Sequence, residues 1–357
     1  AHPHLSNDGR LVLVHNGIIE NYQELRRMLE AEGFVFHSET DTETAVHLID
    51  REYKKRGSLE EAVIAGVKQL CGAFAFCIMH QDEPDKIIAV RQNAPLIIGL
   101  GQGENFIASD IPAIIGKTRN IIHLADGELA VVRRESVEVK NLNGENVIKP
   151  VEEIEFSPDV ISKLGYKHFM LKEIHEQPES IKRTVLPRIT DGMPDLTECG
   201  LTDEKLRSYK NIFVVACGTA MHAGLVGKYV IEKIGRIPVT VDVASEFRYR
   251  DPIISKGDLV ILVSQSGETA DTKAALHLAH DLGADTLGIV NAKGSAIARE
   301  ADMVLYTHAG PEISVASTKA YMVQLAVFYL LAFRLSYVRG AITEEQCMSY
   351  TEKLLGI

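Results

Sequence analysis

Residues 261–272, ILVSQSGETADT, decide how the second half of this chain folds. Together with the preceding Leu259 and Val260, their apolar start predicts a buried parallel strand that ends at about Val263. An apolar stripe over 270–282 predicts a helix directly afterwards. The first N–H groups of that helix would point at whatever lies above the end of the strand. The stretch therefore predicts a strand–turn–helix unit of a parallel sheet, with a binding site at the turn.

The turn itself predicts a binding site for a phosphate group. Ser264, Ser266 and Thr269 supply neutral hydroxyl donors, and Gly267 lets the backbone turn tightly. Free N–H groups and the positive end of the helix dipole favour an anion at this place, whereas Glu268 argues against a nucleotide triphosphate. For one lone Ser, a plain capped helix would be the better interpretation. Three hydroxyl groups within six positions favour the phosphate site.

Length and composition bound the class of protein. With 357 residues and 46% hydrophobic content, the chain can bury large cores and favours two domains over one. A net charge of -11 leaves no broad basic surface, which argues against binding to nucleic acid. The five cysteines are spread out without a CxxC pair. This pattern predicts neither a disulfide framework nor a zinc site, and it suits a reducing cytoplasm.

Neither a membrane span nor a signal peptide is predicted. Residues 321–338 form the most apolar long segment, but Gln324 and Arg334 interrupt it, which favours a buried helix. The chain opens with AHPHL, which lacks the basic and apolar regions of a signal peptide. Because position 1 is Ala rather than Met, we expect a processed or partial chain.

The first part of the chain predicts a layered α+β domain. Asn21 and Glu24 have the spacing of a capping box, which predicts a helix that runs to about Glu32. Two further helices are predicted over 42–55 and 59–70. Six strand-like runs follow: AFAFCIM, KIIAV, LIIGL, NFIAS and segments around Ile121 and Leu129. Because helices are grouped together and strands are grouped together, the pattern favours packed layers over alternating strands and helices.

From residue 211 the pattern changes to short alternating strands and helices, which predicts an α/β doubly wound parallel sheet. The candidate strands are IFVVACG, IPVTVDV, DLVILVS, TLGIVN and MVLYT. Proline and glycine punctuation predicts an interdomain linker at 151–205, between a domain at 1–150 and a domain at 206–357. Within the linker, HFMLKEIHEQP predicts a solvated helix with core-facing Phe169 and Ile174.

Candidate reactive residues occur in the first half. HNG, from His15 to Gly17, follows the apolar run LVLV. The side chain of Asn16 and the backbone N–H of Gly17 would make a two-donor oxyanion hole, although NG taken alone predicts a plain turn. Asp41 either caps the helix that begins near Thr42 or binds the ammonium group of a substrate.

Cys217 and Thr219 stand at the end of another apolar run. A lone Cys in that position is interpreted as a small core residue, and Thr219 is a better candidate for a contact to phosphate or sugar. The sequence SVAST at 314–318 predicts a further wall of the same site. His2 and His4 lack a third ligand at metal spacing, so no metal is assigned.

Eight motifs resemble, in their order along the chain, those of the glutamine:fructose-6-phosphate amidotransferases, a family also called the glucosamine-6-phosphate synthases. They are HNGIIENY, SETDTE, GENFIASD, HFMLKEIHEQP, CGTA, ASEFRYR, SQSGETADT and SVASTKA. HNG occurs in other class II glutamine amidotransferases and SQSGET in other sugar isomerase (SIS) domains, but their combination through this linker is highly specific. The resemblance covers essentially the whole chain. It implies an N-terminal-nucleophile (Ntn) hydrolase-type glutaminase domain followed by a first SIS domain.

The resemblance also implies a reaction and its residues. Glutamine would be hydrolysed in the first domain, and ammonia would pass to the SIS domain to convert fructose 6-phosphate into glucosamine 6-phosphate, without cofactor or metal. Asn16 and Gly17 would form the oxyanion hole, and Asp41 would bind the amino group of glutamine. Seven residues would surround the sugar and its phosphate: Thr219, Ser264, Gln265, Ser266, Thr269, Val315 and Ser317. Ala220 replaces the usual Ser, so one hydroxyl contact is expected to be lost.

Two departures from the family pattern concern catalysis. In the family, the N-terminal Cys nucleophile stands before the position that matches residue 1. The family's second SIS domain, with the acid–base and imine-forming groups of the isomerisation, comes after the position that matches residue 357. Because that chemistry needs those side chains within hydrogen-bond reach, we expect a chain this short to be inactive alone. The resemblance further implies a homodimer through the SIS domains, with ASEFRYR near the contact, and a cytoplasmic enzyme that acts on small molecules.

Two other classes of protein share parts of this sequence pattern. A sensor that binds a phosphosugar without turnover would be expected to carry a DNA-binding helix or a partner domain, and no basic helical segment is found to serve. A purine-pathway class II amidotransferase would need a loop with consecutive acidic residues after a strand, which DLVILVSQSGE does not supply.

Overall fold

The computed structural model describes residues 2–154 and 162–357. These residues form two compact units, Ala1–Val160 and Ile161–Ile357. Each unit has its own sheet system and its own hydrophobic core. The described helices and strands group in sequence as predicted, with layers in the first unit and alternation in the second.

The first unit is built from three helices and ten described strands. The helices are α1 Tyr22–Ala31, α2 Asp41–Arg56 and α3 Leu59–Val67. The strands are β1 His4–Leu5, β2 Leu11–Ile19, β3 Gly72–His80, β4 Lys86–Gln92, β5 Ile97–Leu100, β6 Asn105–Ala108, β7 Asn120–His123, β8 Glu128–Arg133, β9 Val137–Asn141 and β10 Glu152–Glu153. The three predicted helices and the six predicted strand-like runs are confirmed, within a few residues at their ends.

Two sheets and a helical layer make up this unit. The larger sheet is antiparallel in the order β1-β2-β3-β4-β8-β9, and the smaller one has the order β10-β7-β5-β6. Strand residues alternate between faces, so each face of the larger sheet meets a different layer. Leu13 and Phe76 face a core that includes Leu29 and Ile49 of the helices. Ala89 belongs to a second core with residues of the smaller sheet.

The predicted capping box at Asn21 is wrong. Asn21 does precede α1, but its side chain makes no cap hydrogen bond. Its amide donates to the carbonyl oxygen of Gln69 and accepts from the N–H of Cys71. The side chain therefore satisfies backbone groups of a loop that is distant in sequence, and not the N–H groups in the first turn of its own helix.

The second unit alternates strands and helices, as predicted. Its helices are α4 Phe169–His175, α5 Gln177–Val185, α6 Asp203–Ser208, α7 Gly218–Val230, α8 Ala244–Phe247, α9 Ala270–Asp281, α10 Ala296–Glu300, α11 Lys319–Val338 and α12 Glu344–Leu355. Its strands are β11 Ile189–Thr190, β12 Met193–Pro194, β13 Ile212–Ala216, β14 Val239–Val243, β15 Leu259–Ser264, β16 Asp285–Val290 and β17 Met303–Tyr306. The sheet β14-β13-β15-β16-β17 is parallel throughout.

The strand order places a crevice beside β13 and β15. The chain runs from β13 outward to β14 and then returns to β15 on the other side of β13. The connections on the two sides of this reversal leave in opposite directions, so the carboxyl ends of β13 and β15 border a gap. Every residue of both strands is buried, which fixes the position of that gap rigidly.

Helix α11 is the central helix of the second unit. It is long and apolar enough to cross a membrane, and 67% of its most apolar window is buried inside the structure. It packs against α5, α7 and α12, and Gly227 of α7 leaves room for the ring of Phe328. These contacts agree with the predicted buried helix.

The predicted linker contains more structure than the sequence indicated. Residues 155–161 of it lie outside the described residues, and the rest includes α4, α5 and the hairpin of β11 and β12. Val185 and Leu196 are buried in the core of the second unit. The predicted solvated helix with core-facing Phe169 and Ile174 is wrong in its orientation. The buried side chains are Lys172 and Glu173, and Ile174 is exposed.

Candidate functional site

The HNG sequence lies inside strand β2 and not in a turn. Asn16 pairs with Ala75 and Gly17 with Phe74 across the antiparallel ladder. Gly17 has a φ of 131°, and a Cβ there would collide with the carbonyl oxygen of Ala73. The local NG signal for a turn fails because nine residues of β2 pair continuously with β3. Asn16 and Gly17 are both exposed, so their polar groups are open to a ligand.

Asp41 lies beside the end of the same strand. Its Oδ2 accepts the backbone N–H of Ile19 at 2.8 Å. Asp41 is the first residue of α2, and the cap before it is Thr40, whose side chain accepts from the N–H of Glu43. The predicted capping role of Asp41 is therefore wrong. One carboxylate oxygen is held by β2, so this negative charge stands near the predicted oxyanion donors.

His15 and Thr42 are further polar residues of this region. The Nδ1 of His15 lies 2.9 Å from the Oγ1 of Thr42, and among the described residues its Nε2 has no hydrogen-bond partner. Burial lowers the pKa of His15, although the nearby Asp41 opposes this shift. The ring is held between the strand and α2 by its contact with Thr42. The sequence signal was the His of HNG itself, which was quoted but given no role.

In the second unit, a cavity of about 250 Å³ opens at the carboxyl ends of β13 and β15. It collects all seven residues that were predicted around the sugar phosphate, together with six others. Its lining residues are Cys217, Thr219, Ala220, Val263, Ser264, Gln265, Ser266, Thr269, Glu312, Ser314, Val315, Ser317 and Gln324. Cys217 is half-buried and lines the cavity, so it is not the purely internal residue that the sequence predicted.

The hydroxyl-rich turn after β15 forms one side of this cavity. Ser264 Oγ lies 2.9 Å from Thr269 Oγ1 and accepts the backbone N–H of Gly267 at 3.0 Å. Ser266 Oγ accepts the N–H of Glu268. Thr269 precedes α9 without making a side-chain cap hydrogen bond. Thr269 lines the cavity, so α9 begins at the cavity wall without the usual Ser/Thr side-chain cap.

Glu268 belongs to the support of the turn. Its Oε1 accepts the N–H of Ala296 at 2.7 Å, at the beginning of α10. Gly267 has a φ of 66°, and a Cβ there would collide with Ser295. These contacts hold the turn against the beginning of α10. The hydroxyl groups of the turn are therefore positioned before a ligand binds.

A second carboxylate occupies the beginning of α11. Glu312 accepts the N–H of Thr318 at 2.7 Å and that of Ala320 at 3.2 Å, and it also accepts the hydroxyl of Ser317 at 2.8 Å. Negative charge is favourable at a helix N-terminus. Glu312 therefore supplies the negative charge at the beginning of α11 from the chain itself.

Glu173 of α4 holds the other side of this loop. It is 2% exposed. Its Oε1 accepts the N–H of Ile313 at 2.6 Å and that of Ser314 at 3.2 Å, and its Oε2 accepts the Ser314 hydroxyl. A segment predicted as a linker helix thus fixes the wall of the cavity that carries Val315.

Sequence reasoning missed Glu173, Glu312 and Gln324. None of them stands in a hydroxyl-rich or glycine-rich motif. A usable signal was the charge pattern of KEIHE on a segment otherwise interpreted by its apolar residues, and the single polar Gln324 in the apolar run of α11. Such signals indicate a buried polar residue without indicating its partner.

Two family models match the chain. The glutamine amidotransferase domain matches residues 1–116, and the SIS domain matches residues 205–334. The first match contains Asn16, Gly17 and Asp41. The second contains all seven residues predicted around the sugar phosphate.

Full-length relatives match both units together. The chain is 50% identical over 347 residues to glutamine–fructose-6-phosphate aminotransferase (isomerizing) of Clostridium acetobutylicum, covering 97% of this chain and 57% of that protein. It is 51% identical over 344 residues to the protein of the same name from Aquifex aeolicus, covering 95% of this chain and 56% of that protein. The chain thus spans less than 60% of the length of these relatives.

A solved structure resembles the chain as well. It is the C-terminal domain of glucosamine-fructose-6-phosphate aminotransferase from Francisella tularensis, with 41% identity and a TM-score of 0.53. The match covers 55% of each chain.

Proposed function

Because this chain belongs to the glutamine–fructose-6-phosphate aminotransferase family, we propose that its residues serve the glutamine-dependent conversion of fructose 6-phosphate into glucosamine 6-phosphate. The chain spans 57% and 59% of two relatives, so this reaction is proposed for the whole enzyme. The single observation that carries the proposal is the cavity at β13 and β15, which brings together the residues predicted to surround a sugar phosphate.

The polar groups proposed to bind the phosphate in this cavity are neutral hydrogen-bond donors. Phosphate oxygens are acceptors, and Ser264, Ser266, Thr269 and Thr219 offer hydroxyl groups beside the N-terminus of α9. A sugar attached to the phosphate would extend towards Val315 and Ser317 on the opposite wall. The site would thereby fix the substrate through its phosphate and leave the sugar carbons open to reacting groups.

The first unit supplies the proposed glutamine site. The Asn16 amide and the Gly17 N–H would donate to the oxyanion that forms when a nucleophile attacks the side-chain amide of glutamine. The Asp41 carboxylate would bind the α-ammonium group. Support comes from the exposure of Asn16 and Gly17 and from the anchoring of Asp41 to the same strand.

The proposal also covers the bounds of the domains, the oligomeric state and the cellular compartment. A glutaminase domain at 1–150, a connection at 151–205 and an SIS domain at 206–357 follow the change of pattern in the sequence. A homodimer through the SIS domains, with 244–250 near the contact, and a cytoplasmic location suit an enzyme of small metabolites. No nucleic-acid partner is proposed for a chain with a net charge of -11.

Calorimetry tests the phosphosugar site directly. The double substitution Ser266→Ala and Thr269→Ala should weaken binding of glucosamine 6-phosphate by about 3–6 kcal/mol at most, because each lost hydrogen bond to a charged group contributes about 1.5–3 kcal/mol. Ser208→Ala is the matched control. That exposed hydroxyl donates to Lys205 and does not line the cavity, so the control should bind as the unchanged protein does. Equal affinity in the double variant would overturn the proposed site.

A further inference from the structure

Gln324 is a buried polar side chain at the wall of the cavity. It is 3% exposed and lines the cavity together with Thr219 and the hydroxyl turn. Its neighbours on α11 are apolar, and Val323 and Val327 are fully buried. Among the described residues its Oε1 has no hydrogen-bond partner.

An unpartnered amide in such a place has a cost. A buried polar atom without a partner destabilises the folded state relative to an apolar side chain of the same shape. Two of the carboxylates near this cavity, Glu173 and Glu312, show the opposite situation, because both have several donors. Gln324 is thus an amide at the cavity whose carbonyl oxygen has no donor in the part of the chain that the structure describes.

The missing partner must offer a donor. The oxygens of a fully ionised phosphate monoester accept hydrogen bonds and donate none, so the phosphate group of such a ligand cannot satisfy Oε1. A hydroxyl group both donates and accepts. The terminal side-chain bond of Gln is roughly two-fold in its preferred angles, so rotation about it can present either amide atom to the cavity.

We propose that Gln324 is a specificity-determining residue of this cavity, which binds a hydroxyl group on the carbon skeleton of a phosphorylated polyol or sugar. The hydroxyl turn holds the phosphate, and Gln324 distinguishes a hydroxylated phosphate ester from inorganic phosphate. This inference rests on the proposed phosphosugar site and adds to it the recognition of the carbon part.

The test uses Gln324→Met, which keeps the unbranched shape and removes both polar atoms, in the full chain. Calorimetry with glucosamine 6-phosphate should show affinity about tenfold weaker, the equivalent of one lost hydrogen bond. With inorganic phosphate as the probe, affinity should be unchanged. Urea unfolding of the ligand-free variant should show equal or greater stability, because an unpartnered polar atom has been removed.

The outcomes separate the inference from the proposed function. If the unchanged protein binds neither probe, the phosphosugar site is wrong and this inference falls with it. If both probes bind and Gln324→Met changes neither affinity, Gln324 has no role in recognition. Equal weakening of both probes together with reduced stability would show that Gln324 only supports the fold. Gln324→Leu repeats the measurement if the Met variant does not fold.

Discussion

Gly267 shows how strictly one position in the hydroxyl turn is determined. Its φ of 66° is rare for residues with a side chain, and Ser295 occupies the space that a Cβ would need. Gly283 has a similar φ of 79°, but nothing lies within 4 Å of its Cβ position. The two glycines therefore share a backbone conformation and differ in crowding.

This pair predicts the result of two substitutions. Gly283→Ala should lower the free energy of unfolding by about 1–2 kcal/mol, because it adds only the cost of a left-handed conformation. Gly267→Ala should cost about 1–3 kcal/mol more, because overpacking adds to that strain. Urea unfolding of both variants measures the difference. Equal losses would mean that Ser295 moves away freely and that the turn is not tightly held.

The seven residues predicted around the sugar phosphate do line one cavity, and their contact with a phosphate group stays a prediction. Three hydroxyl groups and a glycine after an apolar run indicate a phosphate turn whatever the rest of the chain does. Glu173 and Gln324 have no such local signature. Their roles depend on which segment folds against them, and this is decided by tertiary packing.

At the level of elements, α4 differs most from its prediction. An apolar pattern indicated that Phe169 and Ile174 face the core, yet the helix buries Lys172 and Glu173. The reason is a loop that lies more than a hundred residues later, because the N–H groups of Ile313 and Ser314 satisfy the carboxylate. Periodicity cannot detect a polar partner so distant in sequence. The parallel strands, in contrast, were found readily because they are continuous apolar runs.

The contact of α4 with the cavity loop predicts a remote effect on binding. Glu173→Gln keeps the shape but removes a charged acceptor, and it should lower the free energy of unfolding by about 1.5–3 kcal/mol. Affinity for glucosamine 6-phosphate should fall as well, because the wall that carries Val315 is no longer fixed. Urea unfolding and calorimetry measure the two effects.

Glu179→Gln is the control for this experiment, because Glu179 is exposed on the neighbouring α5. Because Glu179 lies in the first turn of α5, this substitution should lower the free energy of unfolding by at most about 0.3–1 kcal/mol and leave the affinity unchanged. If Glu173→Gln behaved like Glu179→Gln, the buried carboxylate would have no part in holding the loop.

For the whole molecule, acid sensitivity follows from its buried imidazoles. His47 of α2 is fully buried between Phe34 and Phe36, and burial lowers its pKa from the ordinary value of 6.5. The pKa values of His15 and His308 are also lowered by burial, so both units contain such a group. The unfolded chain then binds more protons than the folded one below pH 6.5. Above that pH these groups cost the folded state no stability. Below it, the free energy of unfolding falls as the pH drops towards the lowered pKa values of the folded state.

His47→Gln isolates one of these contributions. The unchanged protein should lose stability between pH 7.5 and 5.5, and the variant should lose less over the same range. Urea unfolding, monitored by hydrogen exchange in peptides of α2, measures how the free energy of unfolding of each protein depends on pH. His37→Gln, at an exposed position of the same unit, should leave the slope unchanged. If stability depended on pH equally in His47→Gln and in the unchanged protein, the pKa of His47 would not differ between the folded and the unfolded state.

The cavity of the second unit, for which we propose a phosphosugar, has few charged groups in its described lining. Its described lining residues include no Lys or Arg, and one of them, Glu312, is acidic. Attraction between full charges weakens as dissolved ions screen it, whereas hydrogen bonds from hydroxyl and N–H groups at a buried strand end are screened far less. The proposed ligand would therefore be held through directional contacts, and its affinity should change little with the ionic strength of the solution.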